Sequence, residues 1–189
     1  MKNVDITDLF RDTVEKLSED VEILYPDGKG GTKTIVSPHV NYIFGNSQYI
    51  KDMLDVYSKS NTQSQRKFPL VALFTPINED RSDWRYFAKA KVSLVIVCSS
   101  QKEWSNEKRK IMSFENILRP IYWKLLEVLL EDDRFEWDYD VIKHNYSENY
   151  SYGRYGAYTD SGDRVSETID AINIRSMEIA VKKTNCERR

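Results

Sequence analysis

The chain has 189 residues, 40% apolar and 31% charged, with a formal net charge of −2. That length suits one domain able to bury a core without disulfide or metal staples, and that composition excludes a disordered chain. Lys and Arg are spread along the sequence rather than clustered, so charge offers no nucleic-acid footprint. No apolar run nears the roughly 20 residues of a membrane helix. The start, "MKNVDITDLFRD", has no apolar stretch ahead of a cleavage site, so no signal peptide is expected.

Asp5 is placed to cap a first helix, and Asp8 favours its positive end. Ile6, Leu9, Phe10, Val14 and Leu17 then follow helical spacing. "VEILYPDGKGG" reads as a strand over 21–25, a Pro-Asp-Gly turn and a Gly-rich hairpin tip. "TIVSPHVNYIFG" resumes extended structure, with a bend or edge at Pro38. Asn46 or Ser47 caps a short helix whose apolar positions are Ile50, Met53, Leu54 and Tyr57, and 58–67 is a polar loop.

"FPLVALF" is apolar on both faces, as a central strand should be. In "FAKAKVSLVIVCS", Ala88, Ala90, Val92, Leu94, Ile96 and Cys98 take one face, while Lys89, Lys91 and Ser93 take the other. Val95 and Val97 make its far end apolar on both faces, which calls for cover by a helix or a neighbouring subunit. The connection "TPINEDRSDW" reads as a polar hairpin loop. Ser105 caps the longest helix, roughly 106–130, with a stripe of Ile111, Phe114, Leu118, Ile121, Leu125 and Val128. Pro120 kinks or splits it. In the last strand, "TIDAINIRSMEIAVKK", Ile172 and Ile174 share one phase, and Met177, Ile179 and Val181 the opposite one. The slip near Arg175 and Ser176 predicts a β-bulge. The expected fold is α+β: a mostly antiparallel sheet packed on one face by the N-terminal helix and the long Pro120-kinked helix. One domain is expected, with a core over about 5–131 and 168–182, an inserted Tyr-rich loop over about 132–167 and a frayed tail over 183–189.

Catalytic and metal chemistry find little support. His39 and His144 are far apart, lack nearby cysteines and read as solvent-facing residues. "DGKGGTKT" fails the phosphate-loop pattern, because Asp27 and Thr32 stand where it requires Gly. No Gly-x-Ser-x-Gly run exists. Cys98 reads as core and Cys186 as tail, both reduced in a cytosolic environment. The pairs Glu79/Asp80 and Asp132/Asp133 read as solvated loop charge. No enzyme, cofactor or metal site is expected.

The unusual stretch is "NYSENYSYGRYGAYTDSG", residues 145–162, with five tyrosines and almost nothing aliphatic. The window 132–167 holds nine acids against four bases, the wrong sign for a surface that stacks nucleic-acid bases. Tyr among Ser, Gly and Asn is the composition of contact loops, where rigid amphipathic rings meet adaptable neighbours. Two readings stay open: a loop or extended hairpin that orders against a neighbouring chain, and a mobile loop. On the first, Tyr146, Tyr150, Tyr152, Arg154, Tyr155 and Tyr158 form a protein interface.

Taken together, "FPLVALFTPINEDR", "KAKVSLVIVCSSQKEW", "FENILRPIYWKLLEVLL" and "TIDAINIRSMEIAVK" resemble the small tail-terminator, tail-completion and neck ring proteins of tailed bacteriophages, most of all those of gut Bacteroidales phages. The resemblance spans roughly residues 5–182 and is one of element order and texture. It implies a virion structural protein, made in the bacterial cytoplasm and located at the neck or tail. Its partners would be copies of itself in a ring of about six or twelve, and adjacent portal, ring or tail-tube proteins. DNA would be met only in nonspecific passage through a lumen, and no membrane is involved. Lys29, Lys33, Arg85, Lys89 and Lys91 are then candidates to face that lumen; the plainer reading of Lys89 and Lys91 is a solvated sheet face. The alternative is a cytosolic ligand-binding domain or small enzyme with an aromatic-lined pocket.

Overall fold

Helix α1 (Ile6–Asp20) begins where Asp5 accepts a hydrogen bond from the Thr7 amide at 2.8 Å, and it buries Ile6, Leu9, Phe10, Val14 and Leu17 along one stripe. This computed structural model describes residues 5–27, 31–59, 67–155 and 167–183. Strands β1 (Glu22–Pro26) and β2 (Thr32–Val36) form an antiparallel ribbon. Ser37, with φ of 51°, and Pro38 break it from β3 (Asn41–Gly45). Gly45 ends β3 at φ of 157°, where any Cβ would collide with the Tyr49 ring. Asn46 then caps α2 (Ser47–Lys59) by accepting from the Tyr49 amide.

The chain continues through β4 (Leu70–Phe74), β5 (Glu79–Asp80) and the long β6 (Tyr86–Ser100). After the helical region come β7 (Phe135–Glu136), β8 (Asn145–Tyr155) and β9 (Glu167–Lys182). The sheet order is β3-β4-β6-β9-β7, with β5 added beside β6 and β8 beside β9. Only β3 and β4 pair in parallel; the other pairings described are antiparallel. The fold is α+β. The connection expected as a plain loop contains β5, and Asn145–Tyr155, within the stretch expected as an inserted loop or extended hairpin, is a strand of this chain's own sheet.

The β9 slip is a bulge. Val92 faces Met177 and Leu94 faces Ile174, so Arg175 and Ser176 together oppose Ser93, and Ser176 has φ of 53°. The extra residue turns two opposed phases into one face: Ile172, Ile174, Met177, Ile179 and Val181 all enter the same core. That core lies under α1 and the long helix. A second cluster on the opposite, outer face joins Ile50 and Leu54 of α2 to Phe68, Leu70, Ala72, Val95, Val97, Ile169 and Ala171. α1 and the long helix thus share one face, as expected from the sequence, while α2 covers part of the other. The two-sided end of β6 takes α2 as its cover because both of its faces are apolar.

The long helix departs from its expected stripe. It consists of α3 (Asn106–Arg109), a π-helical segment (Lys110–Leu118) and α4 (Arg119–Glu131), and Ser105 caps the start by accepting from the Lys108 amide. In the π segment the bonds reach five residues back, as when the Arg119 amide donates to the Phe114 carbonyl. The wide winding stops directly ahead of Pro120, whose ring would strike the carbonyl four residues back in a regular α-helix. It also shifts the phase. Ile111, expected in the stripe, is 51% exposed, and Ile117, six residues on, is 2% exposed. Ile117→Ala is therefore expected to lower stability by about 2–4 kcal/mol, and Ile111→Ala by less than about 0.5 kcal/mol, in urea unfolding followed by circular dichroism. Equal losses would place Ile111 back in the core face.

Candidate functional site

The tyrosine strand β8 pairs with β9, Tyr146 opposite Ile174 and Glu148 opposite Ile172, so these side chains face the long helix. The Tyr150 ring lies 4.4 Å from that of Phe114, and Tyr146 lies 4.8 Å from Tyr122. Between them Glu148 accepts from Arg119 through Nε at 2.7 Å and Nη2 at 3.1 Å, and from the Tyr146 hydroxyl at 2.5 Å. Burial pushes the Glu148 carboxyl up, but the Arg119 and Tyr146 hydrogen bonds outweigh it and hold it below the ordinary glutamate range. Burial, then Glu148, pushes the Tyr146 hydroxyl up.

His144 was expected to face solvent; instead it is half-buried. Its Nδ1 lies 2.7 Å from the Ile142 carbonyl, which can only accept. In the neutral ring Nδ1 therefore carries the hydrogen, and Nε2 accepts from the Tyr122 hydroxyl at 2.9 Å. Two of the tyrosines expected at an interface, Tyr146 and Tyr150, are thus engaged by the chain's own helix, and Tyr146 still keeps 41% of its surface exposed. Beside it Trp123 of α4 is 64% exposed, with its ring 4.9 Å from Tyr122. Tyr158 and the side chains of Tyr152, Arg154 and Tyr155 lie outside the described residues. Among the described residues, no strand pairs with the far edge of β8 or with the far edge of β3.

The outer sheet face, where α2 leaves it bare, carries a groove of about 460 Å³. One row of pairings crosses it: Asp80 beside Lys89, Lys89 beside Ala180, and Ala180 beside Glu136. The short Ala180 side chain makes the hollow. Tyr86, Lys91, Glu178, Asp138 and Lys143 are among the other residues that line it. One rim is the tight turn Asp138–Val141, whose Tyr139 and Asp140 both have φ of 56°.

Arg85, Lys89 and Lys91 come together here, but each has a carboxylate. Arg85 and Lys89 share Asp83 at 2.7 and 3.0 Å, Lys91 meets Glu178 at 2.8 Å, and Lys143 meets Asp138 at 2.8 Å. The Arg85 hydrogen bonds hold the Asp83 carboxyl well below the usual carboxylate range. With Asp80 and Glu136 added, five carboxylates face four cations, so the face has no positive surplus for a phosphate backbone. Lys33 is exposed on the separate β1–β2 ribbon, and Lys29 lies outside the described residues.

A third cluster escaped the sequence reading. Arg109, at the end of α3, and Asp170 of β9 are both buried and 2.9 Å apart. The guanidinium also donates to Ser100 Oγ and to the carbonyls of Gln101 and Trp104, and Ser113 donates to the second Asp170 oxygen at 2.7 Å. Burial pushes the neighbouring Cys98 thiol up, which makes it a core residue rather than a nucleophile. The readable signal was an Asp inside the otherwise apolar "TIDAINI". Asp132, taken as loop charge, is likewise buried. Burial pushes its carboxyl up, but hydrogen bonds from the Arg134 guanidinium and amide outweigh this and hold it low.

Among the described residues no group of three His, Cys, Asp or Glu is placed to hold a metal ion, and no helix is long and apolar enough to cross a membrane. No protein-family model matches the chain, and no curated protein matches it.

Asp170→Ala leaves the Arg109 charge buried without its partner and is expected to cost about 3–5 kcal/mol in urea unfolding; adding Arg109→Met to that variant should recover much of the loss. A double variant no more stable than the single one would mean that the pair is not the controlling interaction. Because the folded Glu148 carboxyl sits below its ordinary value, its stabilisation is present above about pH 4.5 and disappears as the pH falls through the lower, folded value. Glu148→Gln should flatten that acid limb of the stability profile, as read from thermal unfolding across pH. An unchanged limb would assign the acid loss to other carboxylates.

Proposed function

We propose that this protein is a virion structural protein, a ring-forming neck or tail-terminator subunit that joins head to tail in a tailed bacteriophage. The observation that carries this is that, among the described residues, no strand pairs with the far edge of β3 or of β8, on opposite sides of one sheet. Open edges are a liability that proteins normally blunt, and closure around a symmetric ring removes both at once. The eleven-residue length of β8, and its Tyr, Ser, Asn and Gly composition, support a contact strand rather than a passive one.

On this reading the work of the protein is assembly, not catalysis. It is made in the bacterial cytoplasm and ends in the virion, between copies of itself and the adjoining portal, ring or tail-tube proteins. DNA passes the ring without being gripped, which suits the charge-matched outer face.

Particle mass across concentration, with negative-stain images of the same samples, tests the proposal: closed rings are expected as concentration rises. A lone monomer at every concentration, with or without candidate neighbours, would remove it. Tyr152, Tyr155 and Tyr158 changed together to Ala should weaken docking to the ring above or below and leave the unfolding midpoint unmoved. Tyr150→Ala, which strips the Phe114 contact, should lower that midpoint. A melted triple variant would make those tyrosines core instead.

One observation favours a second reading. The groove carries the Tyr86 ring beside paired charges, which suits a small ligand with both an aromatic and a charged part. A saturable thermal shift with such a compound, lost in Ala180→Trp, would favour a ligand-binding domain.

A further inference from the structure

The strand directions of the sheet fix how its two open edges could meet. β3 and β4 run together, β6 runs against β4, β9 against β6 and β8 against β9. Within one chain, then, β8 runs opposite to β3. In a ring whose axis lies near the strand direction, every copy holds its strands the same way up. The β3 of one copy then approaches the β8 of the next in antiparallel sense, with the faces that carry α1 and the long helix on one side in both copies. No strand has to reverse and no face has to flip.

The side chains at the two edges match that arrangement. On the helix side of β3, Tyr42 anchors to the Thr7 carbonyl, and Phe44 is 38% exposed at the rim. The Arg11 guanidinium lies 5.9 Å from the centre of each of these rings. On the same side of β8, the exposed surfaces are those of Tyr146 and Trp123. An edge that presents the Arg11 guanidinium, itself paired with Asp8, on aromatic rings meets an edge that presents further aromatic rings, a complementary pair. β3 has five residues and β8 has eleven, so only part of β8 is used. The helix-side rings of Tyr146 and Trp123 place that part at its beginning, over 145–149.

We propose that β3 of one copy adds antiparallel to the 145–149 half of β8 in the next copy, so that one continuous sheet runs around the oligomer. This rests on the ring reading above and names its subunit interface. A β8-to-β8 pairing would be isologous: it would close a two-fold dimer and leave both β3 edges open.

The test uses the full chain with Cys186→Ser, so that the buried Cys98 is the one native thiol left. Phe44→Cys and Tyr146→Cys are made separately and treated with a short bismaleimide, each alone and as an equal mixture. Cross-linked dimers are expected in the mixture and not in either variant alone. Hydrogen exchange on the unmodified chain supplies a readout that no substitution can disturb. Amides of 41–45 and 145–149 should exchange roughly tenfold or more slowly in the assembled sample than in the dilute one. Dimers from Tyr146→Cys alone would replace the proposal with β8-to-β8 pairing. Ring-sized particles without added protection at 41–45 would overturn it and leave the ring reading standing. Monomers at every concentration would overturn both.

Discussion

The buried pair of Arg109 and Asp170 is the contact on which the placement of everything else depends. A charge pair removed from water contributes little net stability, because desolvation offsets the attraction. What it supplies is position. Arg109 gathers the end of β6 through Ser100, the following turn through Gln101 and Trp104, and β9 through Asp170. It can be satisfied only where all of these meet, so it fixes where the long helix starts over the sheet. From that start the π-helical winding carries residues five apart toward one side. Arg109, Phe114 and Arg119 follow one another at that interval and meet, in turn, Asp170 of β9 and Tyr150 and Glu148 of β8. A regular α-helix would rotate the third of these away. The π segment is therefore the geometric condition for β8 to dock where it does.

A second constraint comes from β9, the strand between β6 and both β7 and β8. Its bulge at Arg175 and Ser176 keeps one apolar face continuous over sixteen residues. On the outer face the same strand passes from Ile169 and Ala171, covered by α2, to Glu178 and Ala180, left bare. The sheet is thus sealed on one side and half-sealed on the other. The bare half is made tolerable to water by cross-strand charge pairs rather than by a covering element.

Much of this was legible in the sequence where one period dominated. α1, the two-faced β4, the alternation of β6 and the slip in β9 each follow from a single repeating pattern, and the structure keeps them. The failures have one physical source, which is that partners distant in sequence set the outcome. Ile111 fits an α-helical stripe, but the stripe is re-phased by π winding ahead of Pro120. His144 looks isolated until Tyr122 arrives from the helix. Lys89 and Lys91 look like a basic face until Asp83 and Glu178 stand beside them. The tyrosine stretch lacks aliphatic residues, and so it lacks the alternation that marks a half-buried strand; its inward side is made of aromatic rings and one paired carboxylate.

That substitution of tyrosine for aliphatic residues has a physical logic at an edge. A strand there has one long side unpaired, so any apolar side chain on it is half in water. Leu or Ile would make the edge sticky toward every other strand. Tyrosine gives the helix a ring to pack on while its hydroxyl remains hydrated or bonded, as Tyr146 does with Glu148. Ser147 and Asn149, on the outer face, stay polar for the same reason. The strand can therefore remain soluble with its backbone edge open, and its specificity has to come from the rim rings and the register. An edge of this composition holds back from indiscriminate pairing and leaves recognition to a complementary edge.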